Sequence, residues 1–102
     1  MGGLSLLGLA QRAGKVVSGQ FACGQAIQRG RAHLVLIATD AAANTKERYI
    51  KLCRRKGISY RVWNLKEEMG FIIGKTQRAV VAIIDENFAS ALAEKINETS
   101  VP

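Results

Sequence analysis

The segment His33–Ala38 constrains the fold of this chain more than any other. It is apolar at every position after the histidine, it follows a helical pattern that stops at Arg29-Gly30, and it leads directly into the polar pair Thr39-Asp40. A strand that is apolar on both faces needs helices on both sides, as in a layered α/β domain. In such domains ligands usually bind at the loops that follow the carboxyl ends of the strands. The segment therefore predicts an α/β fold and directs attention to Thr39-Asp40.

Helical and strand patterns alternate along the whole chain. The predicted helices are Leu4–Ala13, Gln20–Arg29, a third that begins at Asn44 and ends at Gly57, Lys66–Ile72 and Glu86–Asn97. The predicted strands are Lys15–Ser18, His33–Ala38, Ser59–Trp63 as a second interior strand, and Ala79–Ile84. Asn44 is expected to cap the third helix, with Glu47 in the capping-box position. This alternation with short connections predicts a sheet between two helical layers, formed by one domain over residues 1–102.

Positive charge is concentrated in the first part of the chain. Residues 1–57 contain ten Lys or Arg and two acidic residues, whereas residues 58–102 contain five and six, giving the net charge of +7. A charge of this size and unevenness favours phosphate-rich partners through steering and counterion release. Solubility alone is the alternative explanation, so charge by itself leaves nucleic acid and no specific partner equally open.

Cysteine and hydrophobic patterns argue against a metal site and a membrane location. Cys23 and Cys53 lie far apart, without a C-x-x-C pair or clustered histidines, so no metal site is expected. Both fall on apolar stripes of predicted helices, which predicts two buried thiols and suits a reducing cytoplasm. The N-terminal segment continues at helical spacing through Gln11, Arg12 and Lys15, which predicts a first helix rather than a signal peptide. No apolar run approaches the length of a membrane span.

None of the candidate catalytic motifs in the sequence has the spacing and the structural context that its chemistry requires. Gly74-Lys75-Thr76 is similar to the end of a P-loop, but three residues separate Gly70 from Gly74 where the motif needs four, and a helix precedes it and a strand follows. A nucleotide-dependent enzyme would rest on this tripeptide alone. The only histidine, His33, lies at the start of a buried strand, and no serine has the context of a nucleophile elbow. We therefore expect no catalytic residue, no cofactor and no small-molecule substrate.

Three loops carry residue types that suit phosphate. Gly19-Gln20 opens the second predicted helix, whose free N–H groups and positive dipole end favour anions, and Lys15 lies just upstream. Thr39-Asp40 ends a strand, and residues 74–78 carry two cations and two hydrogen-bonding side chains. If these loops converge in space, they form a positive rim that is rich in hydrogen-bond donors. The third helix has a second basic surface, since Arg48, Lys51, Arg54 and Arg55 fall opposite Tyr49, Ile50, Leu52 and Cys53. This surface either contacts RNA or is an ordinary solvated helix face, and the sequence leaves both open.

The order of these motifs resembles the ribosomal protein L7Ae family of kink-turn RNA-binding proteins. The resemblance is carried by Gly19 at a helix start, the segment 26–41, Met69-Gly70, Gly74 and the segment 79–83, and it extends from about Leu4 to Leu92. The compact bacterial members of the family are the most similar in form. The resemblance implies a three-layer α/β/α sandwich with a mixed four-stranded sheet and no catalysis. It also implies that structured RNA, ribosomal or kink-turn, is held by the start of the second helix and the loop before the last strand.

The resemblance also assigns roles to residues, with one departure. Members that read the sheared G·A pairs of a kink-turn carry an Asn-Glu pair and a nearby Lys where this chain has Phe21, Ala22 and Gln25. Phe and Ala lack the groups that read base edges. Phe21 is expected to pack against the first helix, with stacking on a splayed base as the alternative. The expected RNA-binding residues are Lys15, Gly19, Gln20, Phe21, Gln25, Thr39, Asp40, Lys75, Thr76, Gln77 and Arg78.

We therefore expect a non-enzymatic, cytoplasmic RNA-binding protein that contacts structured or ribosomal RNA and no membrane. The alternative is a protein-interaction module of the same fold, which would use the first and second helices as its docking face. Phe21 in place of a polar reader is the feature that favours the alternative.

Overall fold

Helices and strands alternate through residues 2–100, which the computed structural model describes, with side chains described for residues 2–97. The helices are α1 Gly3–Arg12, α2 Gln20–Gln28, α3 Ala43–Lys56, α4 Lys66–Ile72 and α5 Glu86–Ser100. The strands are β1 Val16–Ser18, β2 Leu34–Ile37, β3 Ser59–Val62 and β4 Val80–Ile83. The predicted order of elements is confirmed, and most bounds agree with the prediction to within one residue.

The four strands form one mixed sheet in the order β1-β4-β2-β3. Strand β4 lies between β1 and β2 and runs antiparallel to both, whereas β2 and β3 are parallel. Helices α2 and α3 cover one face, and α1, α4 and α5 form the layer on the other. The predicted three-layer sandwich is therefore confirmed. Since only β4 is reversed, the loops after β1, β2 and β3 and the loop before β4 all meet at one edge of the sheet.

The core is centred on β2 and β4, which are buried at every position. Both strands are apolar on both faces because helices cover them on both sides. The third helix has the predicted two faces: Tyr49, Leu52 and Cys53 are buried, and the four basic side chains predicted to lie opposite them are exposed. The Tyr49 hydroxyl donates a hydrogen bond to the Gln20 carbonyl, which fastens α3 to the start of α2.

Two local predictions are wrong. Strand β3 is an edge strand rather than an interior one, and it pairs only with β2 among the described strands. Its Tyr and Val favour any strand, but Ser59 and Val62 are exposed and Arg61 is only half-buried, as at an edge, where charge also blocks further pairing. The third helix begins at Ala43 rather than at Asn44, and Ala42 occupies the N-cap position. The turn in which Ala41 N–H donates to the Ala38 carbonyl (3.1 Å) brings the chain into the helix early.

Helix α4 packs tightly against the loop that precedes β4. The Lys75 N–H donates to the Gly70 carbonyl (2.8 Å), and a Cβ atom placed on Gly70 would lie 1.9 Å from the Thr76 carbonyl oxygen. A real Cβ atom does not approach a backbone oxygen that closely. Only glycine at position 70 therefore allows this loop to lie where it does.

Gly70→Ala should lower the free energy of unfolding by about 1–3 kcal/mol, because the added methyl forces the helix and the loop apart. Gly24→Ala is the matched control, since a Cβ atom there would meet the Tyr49 hydroxyl at an ordinary 3.7 Å. Alanine at that mid-helix position should leave stability unchanged or raise it by up to about 1 kcal/mol. Urea unfolding measures both changes. Equal stability of the two variants would contradict the close packing of α4 on the loop.

The two cysteines are buried free thiols, as predicted. Burial raises the pKa of Cys23 from 9.0 to about 12 and that of Cys53 to about 11. Above pH 9 the unfolded chain therefore releases thiol protons that the folded chain retains. The free energy of unfolding should fall as pH rises above 9, by up to about 1.4 kcal/mol per pH unit for each thiol.

Urea unfolding between pH 8 and pH 11 measures this decline. The Cys23→Ala/Cys53→Ala double variant should start from a lower stability and lose it less steeply over the same range. The same slope in both proteins would mean that the thiols ionise as readily in the folded state as in the unfolded chain.

Candidate functional site

Two of the loops with phosphate-binding residue types meet in a cleft at the edge of the sheet. The cleft has a volume of about 340 Å³ and is lined by Ser18, Gly19, Gln20, Lys66, Gln77, Arg78 and Ala79. We call it the edge cleft. Gly19 N–H donates to the Val80 carbonyl (3.0 Å), so the start of α2 is held directly against the start of β4. The reversed direction of β4 produces this meeting, since it places the loop before β4 beside the loop after β1.

Gly19 gives the edge cleft an open helix start. Its φ of 89° lies in the region that favours glycine, and without a side chain it contributes no capping group to α2. The first N–H groups of a helix lack partners within the helix and carry the positive end of its dipole. The start of α2 therefore presents hydrogen-bond donors and partial positive charge at the cleft.

Arg78 fixes the loop that forms the other side of the cleft. Its Nε donates to Ser18 Oγ (3.1 Å), which connects the loop to the end of β1. Its Nη1 donates to Thr76 Oγ1 (2.9 Å) and to the Gln77 carbonyl (3.0 Å), which holds the preceding residues in a tight turn. The guanidinium thus organises the loop and also places a positive charge in the lining of the cleft.

Thr39 and Asp40 lie behind the edge cleft rather than in its lining. Asp40 Oδ1 accepts a hydrogen bond from Lys66 N–H (2.8 Å), and Lys66 in turn accepts one from Arg78 N–H (3.1 Å) through its carbonyl. Thr39 Oγ1 donates to the Asn64 carbonyl (2.9 Å). This loop therefore supports the start of α4, which contributes Lys66 to the cleft.

Lys66 lines the edge cleft, and it is not among the candidate residues predicted from the sequence. It was predicted as the first residue of α4, which is confirmed. Its place beside Gly19 depends on the strand order and on the hydrogen bond from its N–H to Asp40, and neither can be read from the local sequence. The sequence signal was a cation at a helix start directly after a predicted strand.

The remaining predicted residues fall outside the edge cleft. Lys15 lies at the opposite edge of the sheet, where its carbonyl accepts a hydrogen bond from Ile84 N–H (2.9 Å). Lys75 is exposed in the same loop as Arg78 but does not line the cleft, and Thr76 is likewise exposed. Gln25 lies on the far side of Gln20, in a second depression.

That second depression, the α2–α3 groove, has a volume of about 350 Å³. It is lined by Gln20, Phe21, Gly24, Gln25, Gln28, Arg29, Arg48 and Leu52. The prediction that Phe21 packs against α1 is wrong, because its side chain is 80% exposed. Helices α1 and α2 lie on opposite faces of the sheet, so the sheet itself separates Phe21 from the helix it was expected to contact.

The edge cleft is electropositive. Two cations, Lys66 and Arg78, are in its lining, and none of the described residues that line it is acidic. Glu67 and Glu68 instead line a depression with Leu4 and Phe71 between α1 and α4. Among residues 2–97, no group of three or more His, Cys, Asp or Glu side chains is placed to hold a metal ion. No helix within the described part of the chain combines the length and apolar character needed to cross a bilayer.

The chain is similar to proteins whose sequences and structures are known. The sequence profile of the ribosomal protein L7Ae/L30e/S12e/Gadd45 family matches residues 2–94. The chain is 41% identical over 87 residues to RNA-binding protein YlxQ of Bacillus subtilis (strain 168), covering 85% of this chain and 87% of the relative. A protein of unknown function from Bacillus halodurans has a solved structure that superposes with a TM-score of 0.90 at 35% identity, covering 93% of this chain and 96% of the other.

A more distant structure has the same fold. The 15.5kD RNA binding protein of Giardia lamblia superposes with a TM-score of 0.77 at 23% identity, covering 93% of this chain and 82% of the other. The family match over residues 2–94, the identity to the Bacillus subtilis relative and the mixed sheet all agree with the resemblance seen in the sequence. The chain belongs to the ribosomal protein L7Ae/L30e/S12e/Gadd45 family.

Proposed function

We propose that this chain is a non-catalytic, cytoplasmic RNA-binding domain that binds the backbone of a structured, ribosomal RNA at the edge cleft. The observation that carries the proposal is the meeting of the start of α2, Lys66 and Arg78 in one cleft with no acidic residue in its described lining. Phosphate groups need donors and positive charge together. The edge cleft supplies both on a rigid frame.

Because hydrogen bonds fix the cleft, we expect it to recognise the shape of an RNA backbone and not only its negative charge. Gly19 is hydrogen-bonded to β4, and Arg78 is hydrogen-bonded to β1. The main chain of Lys66 is hydrogen-bonded to both Asp40 and Arg78, so each side of the cleft is held by a different element. Such a site binds an RNA backbone of one shape without changing its own conformation. Phosphate contacts of this kind set the position of an RNA, whereas base contacts set its sequence.

The relatives support RNA as the partner. The Bacillus subtilis relative is named an RNA-binding protein, and the family takes its name from ribosomal proteins. In the edge cleft the Ser18 hydroxyl accepts a hydrogen bond from the Arg78 guanidinium, which is a donor only, so this pair supplies no general base. In our proposal Gly19, Gln20, Lys66, Gln77 and Arg78 contact RNA. Lys75 and Thr76 extend the rim, and Thr39 and Asp40 support it.

The Lys75→Ala/Arg78→Ala double variant should bind a kink-turn hairpin more weakly than the parent protein. Each phosphate contact contributes about 0.9 to the slope of log K against log salt, so the slope should fall by up to about 2. Filter binding or fluorescence anisotropy between 50 and 200 mM salt measures both quantities.

The Arg12→Ala/Lys15→Ala double variant is the matched control, because it removes the same two residue types from the opposite edge of the sheet. It should lose less affinity and less slope. Thermal unfolding of both variants shows whether each domain remains folded, and Arg78→Lys separates the charge of this residue from its hydrogen bonds. Equal loss in the two double variants would remove the edge cleft from the RNA-binding surface.

A further inference from the structure

The α2–α3 groove adjoins the edge cleft and differs from it in chemistry. Gln20 lines both depressions, so a chain that leaves the edge cleft along α2 enters the groove directly. The lining of the groove has an exposed phenyl ring, Phe21, and two arginines, Arg29 and Arg48. None of its lining side chains within the described residues is acidic.

The groove is preformed. Gly24 contributes no side chain, which leaves space between the two helices. The Tyr49 hydroxyl lies close to Gly24 and donates a hydrogen bond to the Gln20 carbonyl. The Arg48 guanidinium lies 5.6 Å from the centroid of the Tyr49 ring, a contact that holds its charge beside the groove. Leu52 closes the floor and is 8% exposed. An aromatic ring, an apolar floor and two guanidinium groups thus surround one open space.

These features together suit the binding of a nucleotide. A flat base gains from stacking on an aromatic ring, and its phosphates gain from the fork of an arginine. Phe21 and Phe71 are both 80% exposed, but Phe71 lies beside Glu67 and Glu68, where phosphate would be repelled. Of these two exposed rings, Phe21 is the one whose depression contains arginines and, among the described residues that line it, no acidic side chain.

We propose that an unpaired nucleotide of the bound RNA lies in the α2–α3 groove, with its base stacked on Phe21 and its phosphates beside Arg29 and Arg48. This inference rests on the proposed function, because it extends the RNA path from the edge cleft through Gln20. A phenyl ring has no hydrogen-bonding groups, so stacking on Phe21 selects a base for being unpaired and not for its identity. The RNA recognised by this chain is therefore one that presents a single-stranded nucleotide next to a helical backbone.

The test uses two RNA hairpins, one a kink-turn hairpin with its three-nucleotide bulge and one in which the bulge is deleted. Phe21→Leu should weaken binding to the bulged hairpin by about tenfold, which lies within the range that base–aromatic stacking contributes. It should leave binding to the hairpin without a bulge unchanged. Phe21→Trp should keep the affinity of the parent protein, because it keeps a stacking surface.

Phe71→Leu is the matched control, since it removes an equally exposed phenyl ring from the acidic side of the molecule. It should bind both hairpins as the parent protein does. A 2-aminopurine base placed in the bulge reports stacking directly: its fluorescence should fall when the parent protein or Phe21→Trp binds, and not when Phe21→Leu binds. Thermal unfolding should be the same for all these variants, because the substituted rings are exposed.

The possible outcomes separate the two proposals. If Phe21→Leu binds the bulged hairpin as tightly as the parent protein while Lys75→Ala/Arg78→Ala binds weakly, the nucleotide site is wrong and the proposed function stands. That result would fit a protein partner on Phe21. Equal weakening of Phe21→Leu on both hairpins would also overturn the nucleotide site. If the parent protein binds neither hairpin, or if Lys75→Ala/Arg78→Ala binds as tightly as the parent, the proposed function fails and the nucleotide site fails with it.

Discussion

The insertion of β4 between β1 and β2, antiparallel to both, is the constraint on which the rest of the structure depends. Because β4 enters the sheet at the edge where the other strands leave it, the loop that precedes β4 lies among the loops that follow β1 and β2. The four residues of β4 are apolar and fully buried, so helices must cover the sheet on both faces. A rigid platform with loops from several elements at one edge is the direct result.

Polar contacts then convert this edge into a defined site. Arg78 connects its own loop to β1, and the Lys66 main chain connects that loop to Asp40 after β2. These bonds hold the Asp40 carboxylate against the Lys66 N–H, outside the lining of the edge cleft, whereas Lys66 and Arg78 are in that lining. Gly70 completes the arrangement by leaving room for the Thr76 carbonyl against α4. The positive cleft is therefore a product of packing as much as of composition.

The sequence predicted what depends on local pattern and missed what depends on strand order. The apolar runs around Leu36 and Val81 identified the two central strands, because burial on both faces leaves no polar positions. The edge position of β3 and the place of Lys66 were not predictable, since pairing partners distant in sequence decide both. The exposure of Phe21 was missed for the same reason: which face of the sheet α2 covers depends on the topology, whereas the general tendency of phenyl rings is to be buried.

In our proposal RNA is held at the edge of the sheet where β4 begins. Backbone amide chemical shifts, recorded while a kink-turn hairpin is titrated into the isotope-labelled protein, test it most directly. We expect the largest changes at Gly19, Gln20, Lys66, Gln77 and Arg78, with the amide of Lys15 unaffected. Changes centred on Lys15 and the opposite edge of the sheet, or on the surface of Leu4 and Phe71, would contradict it.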